Sequence, residues 1–457
     1  MKHVMIIGTE LSKRQLAARF NMIDSVRVTV ITTQCDRMTM EGSTTINSWE
    51  DLPNYIEDEQ INQIYLAMPG LEKEKKQQLM QWCREKQCEL IVEPSYYEAE
   101  SRKASILQTA HDHMEELLGR KLVKLPFDIR PLVQGKRILV TGAGGTIGSQ
   151  ICRVLAEYQP SKLILVDIAE NDSLRVMKEI TPAVENAVLA IGSVTNEKFV
   201  RSVFAAHCPQ IIFHAAAHKH VPLMETNLSQ CVENNVFGTY CCAEAAMQCG
   251  AESFVLISTD KAAAPVSVMG KAKRICEIMM RLFDKRGNTS FCSVRFGNVI
   301  GSSGSVLQAF AEQIACGGPV MLTDRGMTRF FMTASEAAQL VISAAFLEKK
   351  AHMYMLDMGK PVSIAALARR LLNLVGRQDI SIISTGRRRG EKLTETLCAP
   401  GEQLCSSGYA HIFSIQENTQ FQEKKWFLRL EKLRETLFQD EKAAIRLIQQ
   451  LIMEENR

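Results

Sequence analysis

The sequence predicts an α/β protein with a doubly wound, mostly parallel sheet, preceded by a smaller domain of similar construction. Short apolar strands alternate with helical patterns through the first hundred residues, and a glycine-rich turn later joins a strand to an amphipathic helix. The 457 residues also exceed what one hydrophobic core usually organises. We therefore expect α/β domains at 1–119 and 138–415, joined by a connector at 120–137 and followed by a helical tail at 416–457.

The composition is that of an ordinary globular protein. Lys plus Arg (54) nearly equal Asp plus Glu (51), so the net charge of +3 provides no broad basic surface for nucleic acid. No apolar run reaches the roughly 18 residues that a membrane span requires, and the N-terminal apolar stretch is too short for a signal peptide. The 14 cysteines form no CxxC pair. These features favour a cytoplasmic protein with reduced thiols.

The first domain alternates strands such as HVMIIG and VRVTVIT with helical patterns such as EKEKKQQLMQWCREK. Its first turn carries Gly8 alone, where a dinucleotide-binding turn has three glycines. We expect a structural or regulatory role for this domain. Pro126 and Pro131 interrupt the helical pattern of the connector and mark a boundary. The tail has apolar residues at helical spacing, which predicts a packing helix, with a partner-binding helix as the alternative.

The strongest local signal is RILVTGAGGTIGSQICRVLAEY, in which an apolar strand leads through a glycine-rich turn into an amphipathic helix. Gly142 permits the tight turn, Gly145 lets the main chain approach a pyrophosphate, and Gly148 lets helix and strand pack closely. Thr146 and Ile147 belong to the helix N-terminus that would face the phosphates. The pattern predicts a Rossmann-type dinucleotide site.

Two later strand ends extend this site. Asp167 lies 19 residues after Gly148 at the end of the next strand, where its carboxylate would accept hydrogen bonds from the adenosine ribose hydroxyls. This position favours NAD over NADP, and a solvent-exposed strand-end aspartate is the alternative. A further strand exits through the small residues Ala215 and Ala216, which leave room for the nicotinamide half of the cofactor.

The stretch HAAAHKH contains His214, His218 and His220 and has the look of a zinc site. No clustered cysteine or carboxylate completes a tetrahedral ligand set nearby, so we expect no metal.

The strand in ESFVLISTDKA delivers four functional side chains, from Ser258 to Lys261, to the edge of a parallel sheet where ligands bind. The helix that follows carries Met269 and Lys273 four residues apart. Their spacing places both side chains on one face of that helix.

The motifs TGAGGTIGS, HAAAHKHVPLME, NNVFGT, STDKA, MGKAKR, RFGNVIGSSGSV and GRRRGEKLTETL occur in the order found in nucleoside-diphosphate-sugar 4,6-dehydratases of polysaccharide biosynthesis. Over about residues 1–415 the chain resembles the large branch that acts on UDP-N-acetylglucosamine. That branch places a second Rossmann-like domain first and has methionine where a tyrosine is usual. The resemblance implies an extended short-chain dehydrogenase/reductase fold, NAD as cofactor, a UDP-sugar substrate and a homo-oligomer.

The resemblance also implies an internal redox reaction in which hydride leaves sugar C4 for NAD, water is lost across C5 and C6, and hydride returns to C6. It implies that Asp260 is the acid, Lys261 the base at C5, Thr259 the partner of the C4 oxygen and Lys273 the cation on the nicotinamide ribose. Met269 cannot exchange a proton. Deprotonation of the C4 hydroxyl would then fall to Thr259 with a water, to Asp260 or to a water held by the substrate.

The substrate is expected to contact RFGNVIGSSGSVLQAFAEQI and DRGMTRFFMT, with Asn298 and Arg329 near uracil or diphosphate. A surface salt bridge is the alternative for Arg329. Lys219 and His220 are assigned to the substrate as well.

The sequence departs from the family pattern in three ways. Ser193 stands where an adenine-contacting aspartate is usual, and Ser303 replaces a common arginine. Large-branch members commonly begin with membrane-spanning helices, which this sequence does not show.

Two other functions fit the same motifs. A UDP-sugar 4-epimerase shares the fold and oxidises the same carbon, but needs no acid and base pair for elimination. A degenerate dehydrogenase would bind NAD and act only as a sensor or scaffold. The presence of Asp260 and Lys261 beside Lys273 favours an enzyme, because a sensor has no chemical use for that combination.

Overall fold

The computed structural model describes residues 2–8, 16–17, 26–33, 44–46, 48–68, 71–92, 96–123, 129–347, 352–388, 390–399, 401–417 and 421–453. The chain divides into two compact units. The first unit comprises Met1–Leu117, Val306–Gly326 and Ile364–Arg387, and the second comprises Leu118–Ser305, Met327–Ser363 and Arg388–Arg457. The division into domains at 1–119 and 138–415, with a connector at 120–137 and a tail at 416–457, stays a prediction.

The strands are, in chain order, β1 Lys2–Gly8, β2 Val26–Thr33, β3 Thr44–Ile46, β4 Gln63–Ala67, β5 Glu89–Val92, β6 Arg137–Thr141, β7 Lys162–Asp167, β8 Ala187–Ile191, β9 Ile211–His214, β10 Ser253–Ile257, β11 Ser290–Arg295, β12 Asn298–Val299, β13 Val320–Leu322, β14 Thr328–Arg329, β15 Phe331–Met332, β16 Met353–Leu356, β17 Val362–Ser363, β18 Ile382–Ser384, β19 Glu402–Ser406 and β20 Ile412–Glu417.

The helices are, in chain order, α1 Leu52–Asp58, α2 Lys73–Glu85, α3 Tyr96–Asp112, α4 Met114–Leu118, α5 Arg130–Val133, α6 Thr146–Ala156, α7 Glu170–Ile180, α8 Glu197–His207, α9 Val221–Glu225, α10 Leu228–Val232, α11 Gly238–Gln248, α12 Val268–Phe283, α13 Val306–Ala315, α14 Ala334–Ala344, α15 Ile364–Leu374, α16 Glu423–Thr436 and α17 Glu441–Ile452. A π-helical segment, Glu233–Phe237, joins α10 to α11. Among the described residues, no helix is both long and apolar enough to cross a membrane.

The first unit is built on a five-stranded parallel sheet in the order β3-β2-β1-β4-β5. Strand β1 feeds two cores: Met5 and Ile7 pack on one face and Val4 and Ile6 on the other. Such burial on both faces is typical of parallel sheets. Gly8 ends this strand where a Cβ atom would lie 2.6 Å from the carbonyl oxygen of Ala67, so the glycine permits close packing of β1 on β4.

The second unit is built on a nine-stranded sheet in the order β19-β20-β16-β11-β10-β9-β6-β7-β8. The strands from β16 to β8 are parallel, and β20 and β19 add an antiparallel edge. Strand β6 shows why helices cover both faces, because Ile138 and Val140 enter one core and Leu139 enters the other. The predicted α/β fold with a doubly wound, mostly parallel sheet is confirmed.

The C-terminal helices pack inside the second unit. Trp426 and Leu433 of α16 and Leu451 of α17 are buried in the same core cluster as Phe283 of α12. The indole N–H of Trp426 donates to the carbonyl oxygen of Leu451 at 3.0 Å, which ties the two helices together. These residues of the tail therefore pack in the core, as the first of the two interpretations of the tail expected.

We expect Leu433→Ala to lower the free energy of unfolding by about 2–5 kcal/mol, because Leu433 is fully buried and its truncation leaves a cavity. Leu428 on the same helix is 65% exposed and provides the matched control. Leu428→Ala should change stability by less than about 0.5 kcal/mol. Urea unfolding measures both, and equal small effects would contradict the packing of α16 in the core.

Candidate active site

The predicted glycine-rich turn connects β6 to α6 and requires glycine at two positions. Gly142 has φ of +65°, and a Cβ atom there would lie 2.6 Å from the main-chain nitrogen of Ala216. A Cβ atom at Gly148 would lie 2.0 Å from the carbonyl oxygen of Gly142. Gly145 caps α6 in extended geometry, directly before Thr146. The main chain therefore makes a cradle at the α6 N-terminus, where phosphate groups bind in such folds.

The neighbouring residues complete this turn. Ile147 is half-buried against the core beneath the sheet. The N–H group of Ser303 donates to Thr146 Oγ1 at 3.3 Å, so the segment that carries Ser303 lies beside the α6 N-terminus. The main chain of Ser303 makes this contact, although the sequence comparison drew attention to its side chain.

Asp167 ends β7 beside the same turn. Its Oδ2 atom accepts a hydrogen bond from the N–H of Gly144 at 2.8 Å, and its Oδ1 atom accepts one from the N–H of Ala169 at 2.8 Å. The side chain is half-buried and held by the main chain, while each carboxylate oxygen has capacity for a further hydrogen bond. The Asp167 carboxylate is thus fixed next to the glycine-rich turn, and each of its oxygens can accept a further hydrogen bond, as from a ribose hydroxyl.

Two apolar side chains beside Asp167 were missed by the sequence analysis. Ile168 is 72% exposed, and Ile191, the register partner of Asp167 at the end of β8, is 44% exposed. Exposed apolar groups at adjacent strand ends suit a flat, weakly polar ring such as adenine. In the sequence, Ile168 directly follows the strand-end residue Asp167, and Ile191 is the last residue of the apolar run AVLAI. Ser193, farther along, shares a hydrogen bond with Thr195 at 2.8 Å.

Strand β9 ends at a buried histidine that precedes the small residues Ala215 and Ala216. The ring of His214 is fully buried, with Nδ1 2.8 Å from Thr141 Oγ1 and Nε2 3.0 Å from Thr239 Oγ1. Burial, with a contribution from the charge of Lys273, lowers the pKa of His214 to about 3. Both nitrogens are engaged by threonines, so this ring has none to offer zinc. Within the described part of the chain, no cluster of metal-ligating side chains occurs.

The turn after β10 brings predicted catalytic residues together. Lys261 Nζ donates to Asp260 Oδ1 at 3.0 Å and to Asn298 Oδ1 at 3.0 Å. The hydroxyl of Thr259 donates to the same Oδ1 atom of Asp260 at 2.9 Å. Asp260 is 1% exposed, and its Oδ2 atom has no hydrogen-bond partner among the described residues. A buried, unpaired carboxylate oxygen is costly, which suits a position that a ligand hydroxyl would fill.

Helix α12 places Met269 and Lys273 against this turn. Gly270 permits the approach, because a Cβ atom there would lie 2.5 Å from the carbonyl oxygen of Lys261. Met269 is 4% exposed, and Lys273, 5% exposed, donates from Nζ to the carbonyl oxygen of Ile257 at 2.9 Å. Burial lowers the pKa of Lys273. The structure therefore gathers the predicted catalytic residues at the carboxyl edge of β10 and the start of α12.

A buried ion-pair network that the sequence analysis missed supports this edge. Glu277 Oε1 accepts hydrogen bonds from the hydroxyl of Ser258 and from Arg295 Nε, both at 2.7 Å. Arg295 also donates to Glu402 of β19 at 2.6 Å, and Arg274 of α12 contacts both glutamates. Burial raises the pKa of Glu277, but Arg295, Arg274 and Ser258 together hold it below its ordinary value. The only sequence signal was the charged pair in KRICE on an otherwise apolar helix face.

The predicted substrate residues of the HKH stretch lie at the surface. Lys219 and His220 are both exposed. The His220 ring lies against Gly304, where a Cβ atom would come within 2.5 Å of the ring carbon Cε1. The segments around these two residues are therefore in contact, and the contact of either side chain with substrate stays a prediction.

Arg329 is buried and does not lie at the surface, as the salt-bridge alternative required. It is 7% exposed, and its guanidinium donates to the carbonyl oxygens of Thr328 at 2.7 Å, Lys392 at 2.8 Å and Leu393 at 3.1 Å. The surface salt-bridge alternative is wrong, because the side chain is buried and binds main-chain carbonyls. Arg329 thereby anchors the end of the GRRRGEKL stretch, and its contact with uracil or diphosphate stays a prediction.

The mostly parallel nine-stranded sheet with a glycine-rich turn after β6 is the fold of the extended short-chain dehydrogenases/reductases. The chain belongs to the polysaccharide biosynthesis protein family, whose profile matches residues 138–417. It is 40% identical over 371 residues to the capsular polysaccharide biosynthesis protein CapD of Staphylococcus aureus. That match covers 80% of this chain and 62% of CapD, so the chain spans about three fifths of this relative.

Other relatives carry names of defined activities. The chain is 30% identical over 290 residues to UDP-N-acetylglucosamine 4,6-dehydratase (inverting) of Campylobacter jejuni, across 62% of this chain and 84% of that protein. It is 29% identical over 309 residues to UDP-glucose 4-epimerase of Rickettsia canadensis, across 65% of this chain and 88% of that protein. The solved structure of Pen from Bacillus thuringiensis matches with a TM-score of 0.57 and 29% identity, across 64% of this chain and 90% of Pen.

We expect Glu277→Gln to lower the free energy of unfolding by about 3–5 kcal/mol, because it leaves buried arginine charge uncompensated. The matched control is Glu423→Gln, which removes a carboxylate that pairs with Arg286 at 37% side-chain exposure. The control should cost less than about 1 kcal/mol. Urea unfolding at neutral pH measures both variants, and a Glu277→Gln cost as small as that of the control would show that the network is dispensable.

Proposed function

We propose that the chain is a UDP-N-acetylglucosamine 4,6-dehydratase that forms a UDP-4-keto-6-deoxy-N-acetylhexosamine for cell-surface polysaccharide or glycan biosynthesis. The observation that carries the proposal is the hydrogen-bonded pair of Asp260 and Lys261 beside Lys273. Elimination of water needs an acid and a base within reach of adjacent carbons, and this pair supplies both. A 4-epimerase needs neither, although relatives of both names have similar identity to the chain.

The residues present fit a nicotinamide dinucleotide. A Cβ atom at Gly142 or Gly148 would overlap neighbouring main-chain atoms, so the turn at the helix N-terminus has room for glycine only. Ile168 and Ile191 offer exposed apolar surface where the adenine ring would lie. Bound NAD would accept hydride from sugar C4 and return it to C6. NAD is preferred over NADP in this proposal, because a 2′-phosphate beside the carboxylate of Asp167 would bring like charges together.

The hydrogen bonds around Asp260 suggest how the site works without the usual tyrosine. Thr259 donates to Asp260, so a proton from the C4 hydroxyl can pass through Thr259 to the Asp260 carboxylate. Asp260 then donates that proton to the C6 hydroxyl, which leaves as water. Lys261, in its neutral form, takes the C5 proton and returns it to C5 after hydride has reached C6. The protons balance, and the sum of the steps is the loss of one water.

Met269 fills the position of the missing phenol. It is nearly fully buried on the helix face that also carries Lys273, and a thioether has no proton to transfer. Its role in this proposal is to pack against the nicotinamide or the sugar, while Lys273 holds the nicotinamide ribose.

A cytoplasmic location and a homo-oligomeric state, both inferred from the sequence, remain part of the proposal. Exposed apolar side chains at Leu428, Phe438 and Met453 offer surface for self-association on the C-terminal segment.

We expect the wild-type chain to convert UDP-N-acetylglucosamine to a product lighter by one water, and Lys261→Ala to lose this turnover by about 100-fold or more. Lys285→Ala, which removes an exposed lysine outside the site, is the control and should match wild type. Mass spectrometry of the product measures the outcome. A product of unchanged mass would favour the epimerase, and a wild type that binds NAD without turnover would favour the sensor.

We expect Met269→Leu to keep most of the turnover, because leucine has similar volume and equally lacks a transferable proton. Lys273→Met keeps the buried length of the lysine but removes its charge, and should reduce turnover by about 100-fold. Initial rates of dehydration, with melting curves to check folding, test the pair. Abolished turnover in Met269→Leu would assign the sulfur a chemical role and contradict the packing role.

A further inference from the structure

We propose that His214 is a positioning residue. Its neutral ring, protonated on Nε2, orders a chain of hydrogen bonds that connects the glycine-rich turn to the main chain between Ala215 and His218, on either side of the cofactor site. The chain runs through Thr141, His214, Thr239 and Asn235 to the main chain of His218. The cofactor part of this inference rests on the proposed function, whereas the tautomer of the ring does not.

The direction of the hydrogen bonds follows from the end that is fixed. Thr239 Oγ1 lies 2.6 Å from the carbonyl oxygen of Asn235, which can only accept, so the one hydroxyl proton of Thr239 points there. Thr239 must therefore accept from His214, which places the ring proton on Nε2. The Nδ1 atom of a neutral ring then accepts from the hydroxyl of Thr141 at 2.8 Å.

One end of the chain reaches the glycine-rich turn. Thr141 directly precedes Gly142, and its Oγ1 atom accepts from the N–H of Ala216 at 3.3 Å. The carbonyl oxygen of Thr141 accepts from the N–H of Ala215 at 3.1 Å. Since the Thr141 hydroxyl donates to His214, its remaining lone pairs face the Ala216 N–H. The orientation of the His214 ring thus sets the orientation of the Thr141 hydroxyl toward the main chain that follows β9.

The other end of the chain of hydrogen bonds reaches His218, at the far end of the segment that follows β9. Asn235 Oδ1 accepts from the N–H of His218 at 2.8 Å, and Asn235 Nδ2 donates to the carbonyl oxygen of His218 at 3.0 Å. One chain of hydrogen bonds therefore holds the segment from Ala215 to His218 at both of its ends. His214 lies between the two threonines of this chain, and its ring proton can sit on either of two nitrogens.

The surroundings of the ring favour the neutral form. His214 is fully buried, its ring lies tilted against that of Phe254 with the centroids 5.6 Å apart, and it is near the charge of Lys273. A second ring proton on Nδ1 would meet the proton of Thr141 and would add a positive charge near that of Lys273. An apolar ring of the same size would fill the space but would leave both threonine hydroxyls without their partner.

The first test measures the tautomer of His214 in the ligand-free 457-residue chain labelled with ¹⁵N-histidine. The spectrum of the nine histidines is assigned at this position by the signal that disappears in His214→Gln. We expect a neutral ring with the proton on Nε2 in wild type and in Thr239→Ser, which keeps the hydroxyl. A protonated ring, or a proton on Nδ1, would overturn the proposal.

The second test compares NAD binding in Thr239→Ser, Thr239→Val and the control Thr181→Val. Valine has the shape of threonine without the hydroxyl, and Thr181 donates to the carbonyl oxygen of Met177 in an exposed helix end. We expect NAD affinity to fall about tenfold or more in Thr239→Val, and to stay within about twofold of wild type in the other two variants. A folded Thr239→Val with wild-type affinity would overturn the positioning role.

The outcomes separate this inference from the proposed function. A wild type that binds NAD but does not dehydrate UDP-N-acetylglucosamine would reject the function and leave the inference standing. A wild type that binds no NAD would overturn the cofactor role of the chain. If Thr239→Val fails to fold, the ring spectra of wild type and Thr239→Ser decide.

Discussion

The carboxylate of Glu277 holds the candidate site together because it bonds to three consecutive elements of the chain, β10, α12 and β11, through buried side chains. It lies on α12, accepts from Ser258 at the end of β10 and pairs with Arg295 at the end of β11. Strands β10 and β11 end, and α12 begins, at the same sheet edge, so the buried charges fix the distance between the Thr259–Lys261 turn and the helix that carries Lys273. Burial makes this fixation strong, since a charge that lost its partner there would have no water to replace it.

Asp260 differs from the two buried glutamates of this network in how its oxygens are bonded. The carboxylates beneath the edge, Glu277 and Glu402, have all of their oxygens bonded to arginine or to main chain, whereas Asp260 Oδ2 is buried and unpaired among the described residues. One oxygen of Asp260 is occupied by Thr259 and Lys261, and the other is left for a ligand. A chain that only bound a dinucleotide would gain nothing from such an oxygen, because its burial is unfavourable until a donor arrives.

Sequence reasoning reached the features that depend on local geometry. The glycine spacing predicts the β6–α6 turn, and the apolar strands predict which side chains arrive at the sheet edge, since both follow from residues close in the chain. It did not reach the Glu277 network, because Glu402 and Arg295 are distant in sequence and an arginine in an apolar strand has no local reason to be there. For His214 the sequence argued against a metal but did not reveal the ring's partners, because Thr141 and Thr239 lie on other elements.

In the proposed reaction, hydride moves within one sugar from C4 to C6 while Asp260 and Lys261 remove water between those carbons. UDP-N-acetylglucosamine carrying deuterium at C4 tests this most directly. Incubation of the labelled sugar with the wild-type chain and NAD, followed by mass and NMR analysis, is expected to give a dehydrated product with the deuterium in its C6 methyl group. Deuterium found at C4 of an epimer of unchanged mass, or unreacted substrate in the presence of bound NAD, would contradict the account.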